Sequence, residues 1–127
     1  MDKIVTKKEN IIIDKSKKFA ISSIKLYKSL INNKKEFVIS QQFLKSATSI
    51  GANIREADGS ISKKEFISKL NISLKEAKET EYWLELLFET DYISKAQYDI
   101  LYFKCVELIK LLTAIIKTAV SNLDNKK

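Results

Sequence analysis

One absence constrains this chain more than any residue present. In 127 positions there is no proline, and glycine occurs only at Gly51 and Gly59. A multi-stranded sheet needs turns, and turns draw on those two residues for their backbone angles. Large apolar residues instead recur three and four apart, the spacing that lines one side of an α-helix. Hydrophobic content of 45% and charged content of 31% fit an ordered globular protein. Residues 1–127 suit one domain with a single core.

Four helices are expected, over about residues 14–33, 38–58, 62–90 and 94–123. Asp14 or Ser16 could cap the first, which ends near Asn32 or Asn33 and turns Phe19, Ala20, Ile24, Tyr27, Leu30 and Ile31 to one side. The second ends at the break Asp58-Gly59-Ser60. The third and fourth open with Ser62-Lys63-Lys64-Glu65 and Ser94-Lys95-Ala96-Gln97, two capping-box patterns. Residues from Asn122 onward read as a frayed tail. Short joints force neighbouring helices to run antiparallel, which makes an up-down four-helix bundle.

Within the second helix, Ile39, Phe43, Ala47, Ile50, Ile54 and Ala57 form the apolar stripe, while Ala47, Gly51 and Ala52 remove bulk. Glycine inside a helix costs about 1 kcal/mol against alanine. Either close helix packing or a ligand approaching the backbone at Gly51 would offset that cost.

The net charge is +7, but 22 of the 23 basic residues are lysine, Arg55 being the exception. Abundant Asn, Ile and Lys is also what an A/T-rich coding sequence produces, so the placement of charge says more than its total. Residues 1–36 carry +6, 37–60 balance, 61–93 carry −2 and 94–127 carry +3. Lys17, Lys18, Lys25 and Lys28 fall within an arc of about 100° opposite the apolar side of the first helix. Such a ridge is either a solvated face or a set of phosphate contacts, since lysines bind phosphates without reading sequence. Ile21 lies inside the arc and hints that something covers part of it. Lys104, Lys110 and Lys117 of the fourth helix are weaker candidates for the same role.

Two helices carry more apolar surface than a small core uses. On the third, Phe66, Ile67, Leu70, Leu74, Ala77, Leu84 and Phe88 form the core stripe, whereas Ile72, Tyr82, Trp83 and Leu86 lie away from it. The fourth is apolar over about half its circumference, and Phe103 and Val106 fall outside even that arc. A second apolar face points to a protein–protein surface, and self-association is the default. Ile72, Glu79, Trp83 and Leu86, with Asn53 and Arg55, are the expected interface residues. Glu79 is expected to pair with Arg55, Asn53 or a lysine across that interface; Glu81 falls on the core stripe without an explanation.

Several chemistries lack their residues. Histidine is absent and Cys105 is alone, which excludes an intrachain disulfide, a Cys/His zinc site and Ser–His or Cys–His catalysis. Cys105 therefore reads as a small buried hydrophobe. No glycine-rich phosphate loop occurs, and no apolar run reaches the roughly 20 residues of a membrane helix. Residues 1–10 lack a signal-peptide core, so a cytoplasmic location is expected. A carboxylate or metal site at Glu56 and Glu79 is the one enzymatic alternative, but di-metal bundles use Glu-x-x-His pairs. No catalytic residue, metal or cofactor is expected.

The run at 37–42 (Phe-Val-Ile-Ser-Gln-Gln), the small-residue segment 46–57 and the run 75–84 resemble the bacterial 23S ribosomal RNA intervening-sequence proteins. Residues 14–20 and the pattern from Ile24 to Leu30 also fit, and the similarity covers about residues 10–120. The resemblance implies an antiparallel four-helix bundle assembling as a homopentameric barrel, with no enzymatic activity. Members of this family occur as reading frames within insertions in ribosomal RNA genes. A similar branch acts as accessory proteins of diversity-generating retroelements, where the basic barrel binds nucleic acid and a reverse transcriptase. This chain departs from that branch in its single arginine and its acidic third helix. The expectation is thus a non-enzymatic oligomer binding RNA or DNA through lysines, with a reverse transcriptase as a further implied partner. The alternative is a structural or adaptor bundle whose second apolar face binds another protein.

Overall fold

The computed structural model describes residues 7–124, and all regular structure among them is helical. Helix α1 spans Lys7–Asn33, α2 Ile39–Asp58, α3 Lys63–Glu89 and α4 Lys95–Asp124. Each helix packs on its neighbours in sequence, and α4 closes the ring on α1. Contacts between helices show the direction of each pair. Ser73 reaches Ile50 and Thr80 reaches Ser46, so α2 and α3 are antiparallel. Cys105 reaches Ala77 and Tyr102 reaches Glu85, which gives α3 and α4 the same relation. The expected up-down bundle is the fold.

Buried residues in every helix follow an alternating three–four spacing, the heptad pattern of left-handed helix packing. On α1 they are Ile12, Ser16, Phe19, Ser23, Leu26 and Leu30; on α2, Ser40, Phe43, Ala47, Ile50, Ile54 and Ala57, with Ser46 buried in addition beside Ala47. Helix α3 contributes Leu70, Ser73, Ala77, Thr80, Leu84 and Leu87, and α4 contributes Leu101, Cys105, Leu108, Leu112 and Ile115. Serine and threonine at core positions interrupt the apolar pattern, so the stripe on α1 is rotated from the one the large residues outline. Ile24 lies on the exposed side and Leu26 is buried.

Two of the buried hydroxyls reach across from α3 to α2. Ser73 Oγ donates to the carbonyl of Ile50 at 2.8 Å, and Thr80 Oγ1 and Ser46 Oγ lie 2.8 Å apart. A buried hydroxyl without a partner would cost free energy, and these two pairs avoid that cost while setting the α2–α3 register.

Helix α1 begins about two turns earlier than its expected cap. Ile12 is buried against the end of the core, which extends the helix toward its N-terminus. Asp14 is instead a surface residue paired with Lys18 at 3.0 Å, and Ser16 is a core residue whose Oγ donates to Ile13. The fourth helix continues through Asp124, and the rest of the expected tail lies outside the described residues.

The box at Ser94 forms as expected, while at Ser62 the returning bond goes to the N–H one residue earlier. Ser62 accepts the N–H of Glu65, whose carboxylate accepts that of Ile61. Ser94 and Gln97 satisfy each other's backbone N–H. Gly59 has an ordinary φ of −90°; among the described residues the left-handed positions are Lys35 (φ 54°) and Asp91 (φ 66°). Gly51 faces α1, where an added Cβ would stand 3.4 Å from Ser16 Oγ. Of its two readings, the tight helix seam describes its surroundings.

Candidate nucleic-acid interface

The core positions of α1 dictate its outer face. Counting about 100° per residue, Lys17, Lys18, Lys25 and Lys28 point away from the line through Ile12, Phe19 and Leu26, and all four are exposed. Lys18 is ion-paired with Asp14. Among the described residues no ion pair engages Lys17, Lys25 or Lys28. Their ammonium groups are therefore free to meet an external anion. Ile21, 45% exposed, stands in the middle of the ridge.

The α4 lysines divide. Lys110 and Lys117 fall on one line opposite the α4 core, whereas Lys104 is rotated about 120° from Lys110; all three are exposed. Phe103, 69% exposed, lies on the outer face with Lys110 and Lys117. A surface pair between Lys15 and Glu107 at 3.2 Å joins α1 to α4, a contact worth a few tenths of a kcal/mol at most.

The expected interface residues also divide. Ile72, Glu79, Trp83 and Leu86 share one side of α3, with Ile72 exposed and Trp83 and Leu86 half-buried. Asn53 lies on the side of α2 that borders this face, where its Nδ2 donates to the carbonyl of Ser49 at 2.9 Å. Arg55 falls about 160° from Asn53 around α2, and the two do not share a surface. The indole Nε1 of Trp83 is buried with no hydrogen-bond partner among the described residues, and its ring lies 5.2 Å from that of Tyr82. Burial, and then the charge of Glu79, raise the pKa of Glu76 beside it.

Glu56 and Cys105, the other candidate groups, are committed elsewhere. Glu56 is paired with Lys69 at 2.8 Å. No three metal-ligating side chains come together among the described residues. Cys105 is fully buried, its thiol donating to the carbonyl of Ala77 at 3.2 Å. Burial, then the charge of Glu81, push that thiol up to about 12. Glu81 gains an explanation here: it faces Cys105 and Tyr102, and burial followed by its charge raises the Tyr102 hydroxyl far above its ordinary pKa. The sequence pattern had not singled out Glu36, buried beside the α1–α2 turn; its only signal was an acid three residues ahead of a helix start.

Residues 8–114 match the sequence profile of the 23S rRNA-intervening sequence protein family. The chain belongs to that family. Among solved structures, this intervening-sequence protein is similar to the crystal structure of a protein of unknown function from the S23 ribosomal protein family of Bacteroides thetaiotaomicron VPI-5482. The two are 56% identical, the match covers 87% of this chain and 98% of the other, and the TM-score is 0.86. No match is found among curated proteins. No helix among the described residues is long and apolar enough to cross a membrane.

Proposed function

We propose that this intervening-sequence protein is a non-enzymatic helical bundle that binds RNA or DNA through phosphate contacts of α1. One observation carries the reading: Lys17, Lys25 and Lys28 stand exposed on one face of α1, beside Lys18, with no ion pair among the described residues. The family's link to 23S rRNA supports nucleic acid over other anions. Lysines on a smooth helix neutralise phosphates without reading bases, so sequence selectivity is expected to be slight and salt dependence steep. Replacing Lys17, Lys18, Lys25 and Lys28 by Glu should abolish binding in a salt titration with labelled RNA and DNA. Unchanged affinity in a folded variant would overturn the reading.

Self-association through the α3 face belongs to the same proposal. Ile72 and Tyr82 are exposed on α3, with Trp83 and Leu86 half-buried beside them, and a closed ring such as a pentamer built on this face would repeat the weak ridge. Trp83→Ala should lower the mass measured by light scattering; an unaltered oligomer would reject this face. The adaptor alternative predicts the opposite division, with Trp83→Ala abolishing a protein contact and the lysines dispensable.

A further inference from the structure

The turn between α1 and α2 is built more carefully than a connection requires. Lys35 adopts a left-handed backbone, which residues bearing a Cβ avoid and which tends to gather at functional sites. Glu36 turns its carboxylate inward, where Oε2 accepts the N–H groups of Val38 and Ile39 at 3.1 Å and Oε1 accepts that of Ser40 at 2.6 Å. The one acid of the turn is thereby withdrawn from the surface. What faces outward on this fixed backbone is Lys34, Lys35, Phe37 and Val38, with Phe37 57% and Val38 73% exposed. Lys25 and Lys28 lie near the C-terminal end of α1, so the ridge leads toward the turn. Glu89 and Asp91 sit at the same end of the bundle on the other joint, which leaves the α1–α2 side as the approach for an anion.

The geometry points to an unpaired nucleic-acid strand as the occupant of this turn, with Phe37 stacked on a base and Lys34 and Lys35 on the neighbouring phosphates. An exposed aromatic ring beside lysines is the arrangement by which single strands are held without sequence preference, because every base presents a π-face. A duplex offers its backbone to the lysines but no free base to the ring. This inference rests on the phosphate reading of α1 and narrows it to single strands.

The test uses the full chain with two fluorescein-labelled RNAs of equal length, an oligouridylate and a blunt duplex. Phe37→Ala is expected to weaken the single strand about ten-fold, the range reported by alanine substitution at stacking positions, and to leave the duplex within two-fold. Phe37→Trp should restore single-strand affinity. Lys34→Gln and Lys35→Gln should each flatten the salt dependence, which Phe37→Ala leaves unchanged. The exposed position of Phe37 makes an unchanged melting temperature the control for folding. If Phe37→Ala weakens both RNAs equally or neither, while reversal of the α1 ridge still abolishes binding, this inference falls and the broader function stands. If ridge reversal changes nothing, the broader function falls, and this inference falls with it. Loss of binding to phosphatidylglycerol vesicles in Phe37→Ala, with RNA affinity intact, would assign the turn to a lipid surface instead.

Discussion

Glu36 and Ser40 hold each other across the start of α2: the Glu36 carboxylate accepts the Ser40 N–H at 2.6 Å, and Ser40 Oγ donates to the Glu36 carbonyl at 2.7 Å. No side chain of Val38, the residue before the helix, caps it, so Glu36 does that work from two residues further back. An acid is well placed there, where the helix dipole favours negative charge.

Glu36→Gln should destabilise the protein by about 1–2 kcal/mol at neutral pH, the range of a lost cap. Burial raises the Glu36 pKa, but the hydrogen bonds from Ser40, Ile39 and Val38 outweigh it and the net shift is downward. A folded-state pKa below the unfolded value means that the unfolded chain binds more protons in acid. The stabilisation is therefore complete above the ordinary carboxylate value of roughly 4.3 and is lost as pH falls through the lowered one. Urea unfolding of both proteins across that window should show their difference shrinking toward acid.

Gly51→Ala should be neutral or stabilising by up to about 1 kcal/mol, because helix propensity improves and the new methyl would rest at contact distance from Ser16. Gly51→Leu should cost about 1–3 kcal/mol by forcing α1 outward. Thermal melts of the two variants separate a seam that requires small residues from one that requires glycine alone.

Asp91→Gly should raise stability by about 0.5–1 kcal/mol. Asp91 is left-handed, and the N–H of Tyr92 bonds to Leu87 while its own bonds to Phe88, the Schellman arrangement that glycine usually completes. The substitution also removes an anion from a helix C-terminus. Guanidinium unfolding should show a higher midpoint at an unchanged slope.

Ser23→Ala should be stabilising by about 1 kcal/mol, since the Ser23 hydroxyl is fully buried without a hydrogen-bond partner among the described residues. A lower melting temperature would show that the hydroxyl has a partner in solution.

Cys105 should resist thiol reagents at neutral pH in the folded protein. Its thiol is buried and its pKa is pushed up to about 12, so almost no thiolate forms. Labelling should appear only with unfolding, at a rate that follows denaturant.

The sequence by itself determined the class and the number of elements. Missing proline, scarce glycine and three–four apolar spacing leave helices as the only repetitive structure. The boxes at Ser62 and Ser94 mark two of their starts, because those hydrogen bonds are made between residues three or four apart. The outward face of Lys17, Lys18, Lys25 and Lys28 was legible for the same reason: it follows from helical period alone. Tertiary structure decided what no local pattern carries. Ser16, Ser23, Ser73 and Thr80 are polar residues at core positions, so only the neighbouring helices reveal that they are inside. Glu36 and Phe37 are adjacent, yet one points into the protein and the other out, and that choice is made where α1 meets α2. Asn53 and Arg55 are two residues apart and lie on different sides of α2, Arg55 exposed and Asn53 half-buried. Which surface a side chain occupies depends on the rotation of each helix about its own axis, and packing against its two neighbouring helices sets that rotation.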